Sequence, residues 1–265
     1  MTFAQFRAFV AITIKEQLAF NGYFWSDLLG QLVLMVIAVF FWRAVYGAGA
    51  PLGGMTREQA VAYVLVANSV GMVISWSLIP EFGRLLRSGA IVTELLRPVD
   101  FQLRMFAMML AKLGATMLIH MALLGTVACL FLGLRLPADP RVWFWFALSL
   151  VAGNCVLFLF DWIISLSAFY TNEIRGLFIL RDGLASFFSG FLVPLALLPD
   201  WLRSVAEVLP FGLALNAPVQ ILTGMTPVSA APWIIAIQLV WGAGLLLLSR
   251  LAFRVAVRTI TVQGG

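Results

Sequence analysis

The run Trp143–Tyr170, WFWFALSLVAGNCVLFLFDWIISLSAFY, decides the fold class. It holds 28 residues and a single charged one, Asp161, and it lacks the strict period-two alternation of a membrane barrel strand. About 20 helical residues cross a ~30 Å hydrocarbon core, where a helix satisfies all its own backbone polar groups. The run therefore reads as a membrane-spanning helix with length to spare.

Five further runs read the same way: Leu28–Tyr46, Ala60–Ile79, Met105–Leu132, Leu177–Leu198 and Trp233–Phe253. Hydrophobic residues make up 62% of the 265 and charged ones only 11%, with a mean hydropathy of +1.01, which excludes an ordinary soluble domain. The expected fold is all-α and integral to the membrane, with six transmembrane helices forming one permease-like domain over residues 1–265. Cys129 and Cys155 fall inside expected spans and read as small packing residues, not as a disulfide or metal site.

The net charge of +5 reads as a topology signal rather than as a nucleic-acid surface. With the amino terminus inside, twelve of the 17 basic residues collect on the cytoplasmic side, Arg84, Arg87, Arg97, Arg175, Arg181 and Arg250 among them, so both termini are expected inside. Residues 1–22 place Phe3, Phe6, Val10, Ile14 and Leu18 near one helical face and read as an amphipathic helix lying in the cytoplasmic interface. Thr56 and Gln59 have the spacing of a capping box for the second span. After the fifth span, residues 199–228 are too apolar for a plain loop. Two short outer helices, Asp200–Val208 and about Leu213–Leu222, explain the prolines at their boundaries as a re-entrant segment.

Chemistry within the chain is poorly supplied. The one histidine, His120, lies deep in the third span and reads as a packing residue, so no His pair can bind zinc and a serine or cysteine nucleophile has no ready base. A phosphate-binding loop needs a lysine after glycine, and the two lysines follow isoleucine (Lys15) and alanine (Lys112). The fourth span carries Asn154 and Asp161, seven residues apart and so on one helical face. A charged residue inside a span is expensive, and these two are the candidates for a substrate path, with a structural ion pair as the other reading of Asp161.

Between spans two and three, residues 84–104 break the apolar pattern: RLLRSGAIVTELLRPVDFQLR. Ser88-Gly89 reads as a turn, followed by a short helix over Ile91, Glu94, Leu95, Leu96 and Arg97 that Pro98 ends. Such a helix, bracketed by Arg84, Arg87 and Arg97, suits a protein groove or an anionic lipid surface. The interspersed Glu94 and Asp100 favour the protein.

Here the chain resembles the membrane subunits of ABC-2 type exporters, and most the bacterial permeases encoded with a second permease and a separate ATPase. The stretches that carry the resemblance are FWRAVYG (41–47), GAIVTELLRPVD (89–100) and GFLVPLALLPDWLRSVAEVLPFG (190–212). The resemblance implies a six-helix permease half in the bacterial inner membrane, with a coupling helix at Ile91–Pro98 seated in a dimer of cytoplasmic ABC ATPase subunits. Those subunits would bind ATP and Mg, so this chain would carry no cofactor and no catalytic site. The second half would be another copy or a sister permease, embedded in membrane lipid, with no nucleic acid involved. The substrate expected is hydrophobic or amphiphilic. A stand-alone channel or secondary transporter, or a scaffold docking another cytoplasmic protein, are the alternatives.

Overall fold

The computed structural model describes residues 15, 21–47, 51–71, 74, 77–171 and 174–258. The expected interfacial helix at residues 1–22 therefore lies almost wholly outside the described residues. Among them every regular element is helical: α1 Asn21–Tyr46, α2 Arg57–Val70, α3 Ile79–Arg87, α4 Ala90–Leu95, α5 Phe101–Phe131, α6 Pro140–Ser165, α7 Ile174–Phe188, α8 Asp200–Val208, α9 Pro210–Ala214, α10 Asn216–Leu222 and α11 Ala231–Val257.

Local chemistry sets most of the boundaries. The capping box at Thr56 and Gln59 is formed in both directions, at 3.2 and 2.9 Å. Asp100 caps α5 by accepting from the Leu103 N–H at 2.7 Å, and Asp139 caps α6 just before Pro140.

Among the described residues, three helical stretches are long and apolar enough to cross a membrane: Trp25–Tyr46, Pro140–Phe169 and Val228–Val257. Helix α5 carries two further apolar stretches, Phe101–Ala111 and Ile119–Phe131. The second and fifth expected spans, residues 60–79 and 177–198, are not single helices, which corrects their sequence reading. α2 has 14 residues and α7 has 15, about 21 and 22 Å at 1.5 Å per residue, short of the ~30 Å core. α2 stops where Asn68 and Ser69 turn their side chains back onto the Val64 and Leu65 carbonyls and Gly71 makes a turn. α7 stops at Gly190, whose φ of +82° is a helix-ending conformation, and Pro194 follows.

The expected outer helix Asp200–Val208 forms as read. Its successor begins earlier than read, at Pro210, and is divided at Leu215 into α9 and α10; the chain bends by 66° at the break between α8 and the Pro210–Leu222 stretch. Four boundaries coincide with proline at the first helical turn, which lacks an N–H to lose there.

Helix α6 is the centre of the bundle: 56% of its most apolar window is buried, against 22% for α1 and for α11. It packs most extensively on α11 and also holds α9 and α10. Gly153 permits that approach, because a Cβ there would sit 2.5 Å from the Leu213 carbonyl oxygen. The Gln238 amide of α11 seals the junction, donating to the Ser149 and Leu213 carbonyls at 3.0 and 2.8 Å. Tyr63 of α2 donates to Asn216 of α10 at 2.9 Å. Each is a buried donor that finds its acceptor on another element, as an apolar surrounding favours.

Candidate functional site

Helices α3 and α4 form a compact polar unit at one end of the bundle. Gly89, in a left-handed conformation with φ +71°, turns the chain between them. α3 is strongly two-faced. Ile79, Phe82 and Leu85 are buried, while Arg84 and Arg87 face outward.

Phe82 anchors this unit. Its ring lies 5.7 Å from Trp162 of α6, 5.9 Å from Phe101 of α5 and 5.6 Å from Phe169, and Phe253 of α11 completes the aromatic cluster. α3 is thereby locked to three helices at once.

The residues expected to seat in a partner divide into two groups. Ile91 is buried, and Leu95 is half-buried against the same inner cluster. Leu96 is 78% exposed, Val92 is exposed beside it, and Arg97 and Pro98 follow on the surface. The outward apolar group is thus Val92 and Leu96, because α4 spends one side of its short length closing the core. Glu94 lies between Arg97, at 3.4 Å, and Arg104 of α5, and Glu81 pairs with Arg84 at 2.5 and 3.0 Å.

Asp100 pairs with Arg250 of α11. Burial pushes its carboxyl up, but the Arg250 guanidinium and the Leu103 and Gln102 N–H groups outweigh this and hold it below the ordinary aspartate range. Glu94 and Asp100 therefore both have partners within the chain. Their presence no longer argues for a protein partner over lipid, as it did from sequence.

Behind α3 lies the buried charge of the fourth span. Asp161 accepts from Arg181 Nε of α7 at 2.7 Å, and Arg181 Nη1 reaches the Ile74 carbonyl at 2.6 Å. Both residues are 1% exposed. The Ser77 hydroxyl and the Leu78 N–H, at the residues that lead into α3, lie near the same carboxylate. One ion pair thus ties α6 and α7 to the chain between α2 and α3.

The sequence places Arg181 among the cytoplasmic loop cations, and the structure corrects this: it is a buried cation about two turns inside α7, paired with Asp161. The rule that singled out Asp161 applies equally to an arginine within GLFILRDGLASFF, and that signal was available in the sequence. Asn154, the other candidate for a substrate path, is 4% exposed and donates to its own Leu150 carbonyl at 2.6 Å. It lies on the α6 face that Asp161 shares, but the two do not form one cluster. His120 is buried, 3.6 Å from Asp27 of α1, in keeping with a packing role.

An amphipathic helical pair thus sits at one end of an apolar bundle, anchored by aromatics and a buried ion pair to several helices. No curated protein matches the chain. A family model described as ABC-2 family transporter protein matches residues 32–264, nearly its whole length, and the chain belongs to that family of membrane transport proteins.

Proposed function

We propose that this chain is the membrane-spanning permease subunit of an ATP-driven exporter, and that α3 and α4 are the coupling segment through which a separate cytoplasmic ATPase moves it. The observation that carries the reading is the double character of this segment. Leu96, Arg97 and Arg84 are presented outward, while Ile74, just ahead of the segment, is held by Arg181 of α7 and through it by Asp161 of α6. A push on α4 is delivered to three parts of the bundle without first having to order a loop.

In this reading ATP and magnesium are held by the ATPase dimer, and a second permease, identical or related, completes the path. Both termini and α3–α4 face the cytoplasm of a bacterial inner membrane, and α8 to α10 cap the outer end. Closure of the ATPase dimer shifts α3 with its aromatic and ionic anchors, and the path opens outward to a hydrophobic or amphiphilic substrate by rigid-body movement.

Co-purification with the ATPase, followed by vanadate-sensitive ATP hydrolysis and transport, tests this. Leu96→Glu with Arg97→Glu should detach or uncouple the ATPase while the thermal melt of the permease stays within a few degrees. An unchanged complex with unchanged transport would overturn the assignment.

A further inference from the structure

At the end of the bundle opposite α3–α4, a cavity of about 570 Å³ opens between the end of α1, the start of α2 and the connection that follows α5. Arg43, Arg57 and Arg135 line it against one carboxylate, Glu58. The apolar part of its lining comes from Val61, Ala62 and Leu65 on α2 and from Leu132 and Leu134.

Two of these charges have local reasons to be where they are. Arg43 lies in the last turn of α1 and Glu58 in the first turn of α2, each where the helix dipole favours its sign. Arg57 and Arg135 do not. Arg57 occupies the first position of α2, where the dipole opposes a cation, and Arg135 sits on a connection with no helix end to serve.

Two of the guanidiniums are held in place. Arg43 Nη2 donates to the Leu132 carbonyl at 3.2 Å and Arg57 Nη1 to the Gly47 carbonyl at 3.4 Å. A guanidinium has five N–H donors, so most of each fork stays available. Beside the cavity the bundle surface is open and greasy: Phe40 and Phe41 precede Arg43, and Leu130 and Phe131 precede Leu132, all exposed.

We infer that this cavity binds the phosphate headgroup of an anionic acyl lipid, with Arg57, Arg135 and Arg43 on the phosphate and the acyl chains along the apolar walls and the exposed α1 and α5 surface. The chemistry is selective on both parts. Three arginines against one glutamate call for an anion, and a guanidinium fork matches phosphate oxygens in pairs. The site lies where the long helices end, which is the headgroup depth of a bilayer. The inference does not depend on α3–α4 being a coupling segment, so either can fail without the other.

The test is native mass spectrometry of the full chain, released from micelles containing phosphatidylglycerol or phosphatidylcholine, with thermal melts in the same micelles. Phosphatidylglycerol should be retained, and should raise the melting temperature, in preference to phosphatidylcholine. Arg57→Gln with Arg135→Gln should weaken its apparent affinity about tenfold or more, the loss expected when charge-assisted bonds are removed. Should the double variant melt early without lipid, Arg135→Gln alone, on its exposed connection, carries the same test. A third arm uses inorganic phosphate. Equal protection by phosphate alone would overturn the lipid assignment, and retention of phosphatidylglycerol by the variants at the native level would overturn the site.

Discussion

Replacing Asp161 by alanine leaves the buried Arg181 guanidinium with the Ile74 carbonyl and, at 4.0 Å, Asp182, and replacing Arg181 leaves the Asp161 carboxylate buried without its cation. Both side chains are at most 2% exposed and their bond is 2.7 Å, so each single change should cost about 3–5 kcal/mol of bundle stability. The double variant Asp161→Leu, Arg181→Met behaves differently, because buried pairs exchanged for apolar residues of similar size are often neutral. It still leaves the Ile74 carbonyl without its donor, a loss of about 1–3 kcal/mol. The double variant should therefore be more stable than either single one. Denaturation of the purified chain in mixed micelles measures all three. If the double variant costs the sum of the singles, roughly 6–10 kcal/mol, or if either single change costs under about 1 kcal/mol, the pair is not a unit and the argument fails. ATP-dependent transport by the folded double variant adds a second readout. A stable bundle that no longer couples hydrolysis to transport is the result expected if the pair carries force from α3.

Other outcomes follow from single contacts. The Asp100 carboxyl is held below its ordinary value in the folded chain, so the stability it contributes is complete above about pH 4 and is lost as the pH falls through the lowered value. Asp100→Asn keeps the α5 cap, since asparagine caps as well, and should flatten that acid limb in melts taken from pH 6 to pH 3. Gly153→Ala places a methyl against the Leu213 carbonyl and should cost about 1–3 kcal/mol, whereas Gly183→Ala on α7, with open space around it, should not destabilise the chain in the same thermal melt. Tyr63→Phe removes the bond to Asn216 and should cost about 1–3 kcal/mol, with the melt lowered and the helical circular dichroism unchanged.

Much of this structure was legible along the chain because the relevant signals are local. The run Trp143–Tyr170 reads as a span, and 30 residues from Pro140 to Phe169 do form one helical stretch, ending in a short 3-10 turn, that is long and apolar enough to cross a membrane. Thr56 with Gln59, the turn at Gly89 and the helix Asp200–Val208 were recognisable for the same reason: a cap, a left-handed glycine and a proline boundary act within a few residues. Hydropathy failed where it averages over a break. Across residues 60–79 and 177–198 the apolar run continues past Gly71 and Gly190, but the helices do not. Arg181 was misplaced by the same averaging, its charge assigned to the adjoining loop.

The candidate site shows the same division. That residues 84–104 form a polar, basic interruption with a short helix is a property of the sequence, because it needs only composition, Ser88-Gly89 and Pro98. Which side of that helix remains available is not. Ile91 turns inward and Leu96 outward because the aromatic cluster around Phe82 sets the rotation of α3, and α4 follows through a single turn. The sequence alone determined an all-helical membrane protein with a charged segment at one end, since burial in lipid selects helices by length and hydropathy. The tertiary structure decided the pairings: Arg181 for Asp161, Arg250 for Asp100, Gln238 across α6 and α9, and three arginines about one cavity. Charges and amides in an apolar medium must find partners, and which partners lie within reach depends on how distant helices pack.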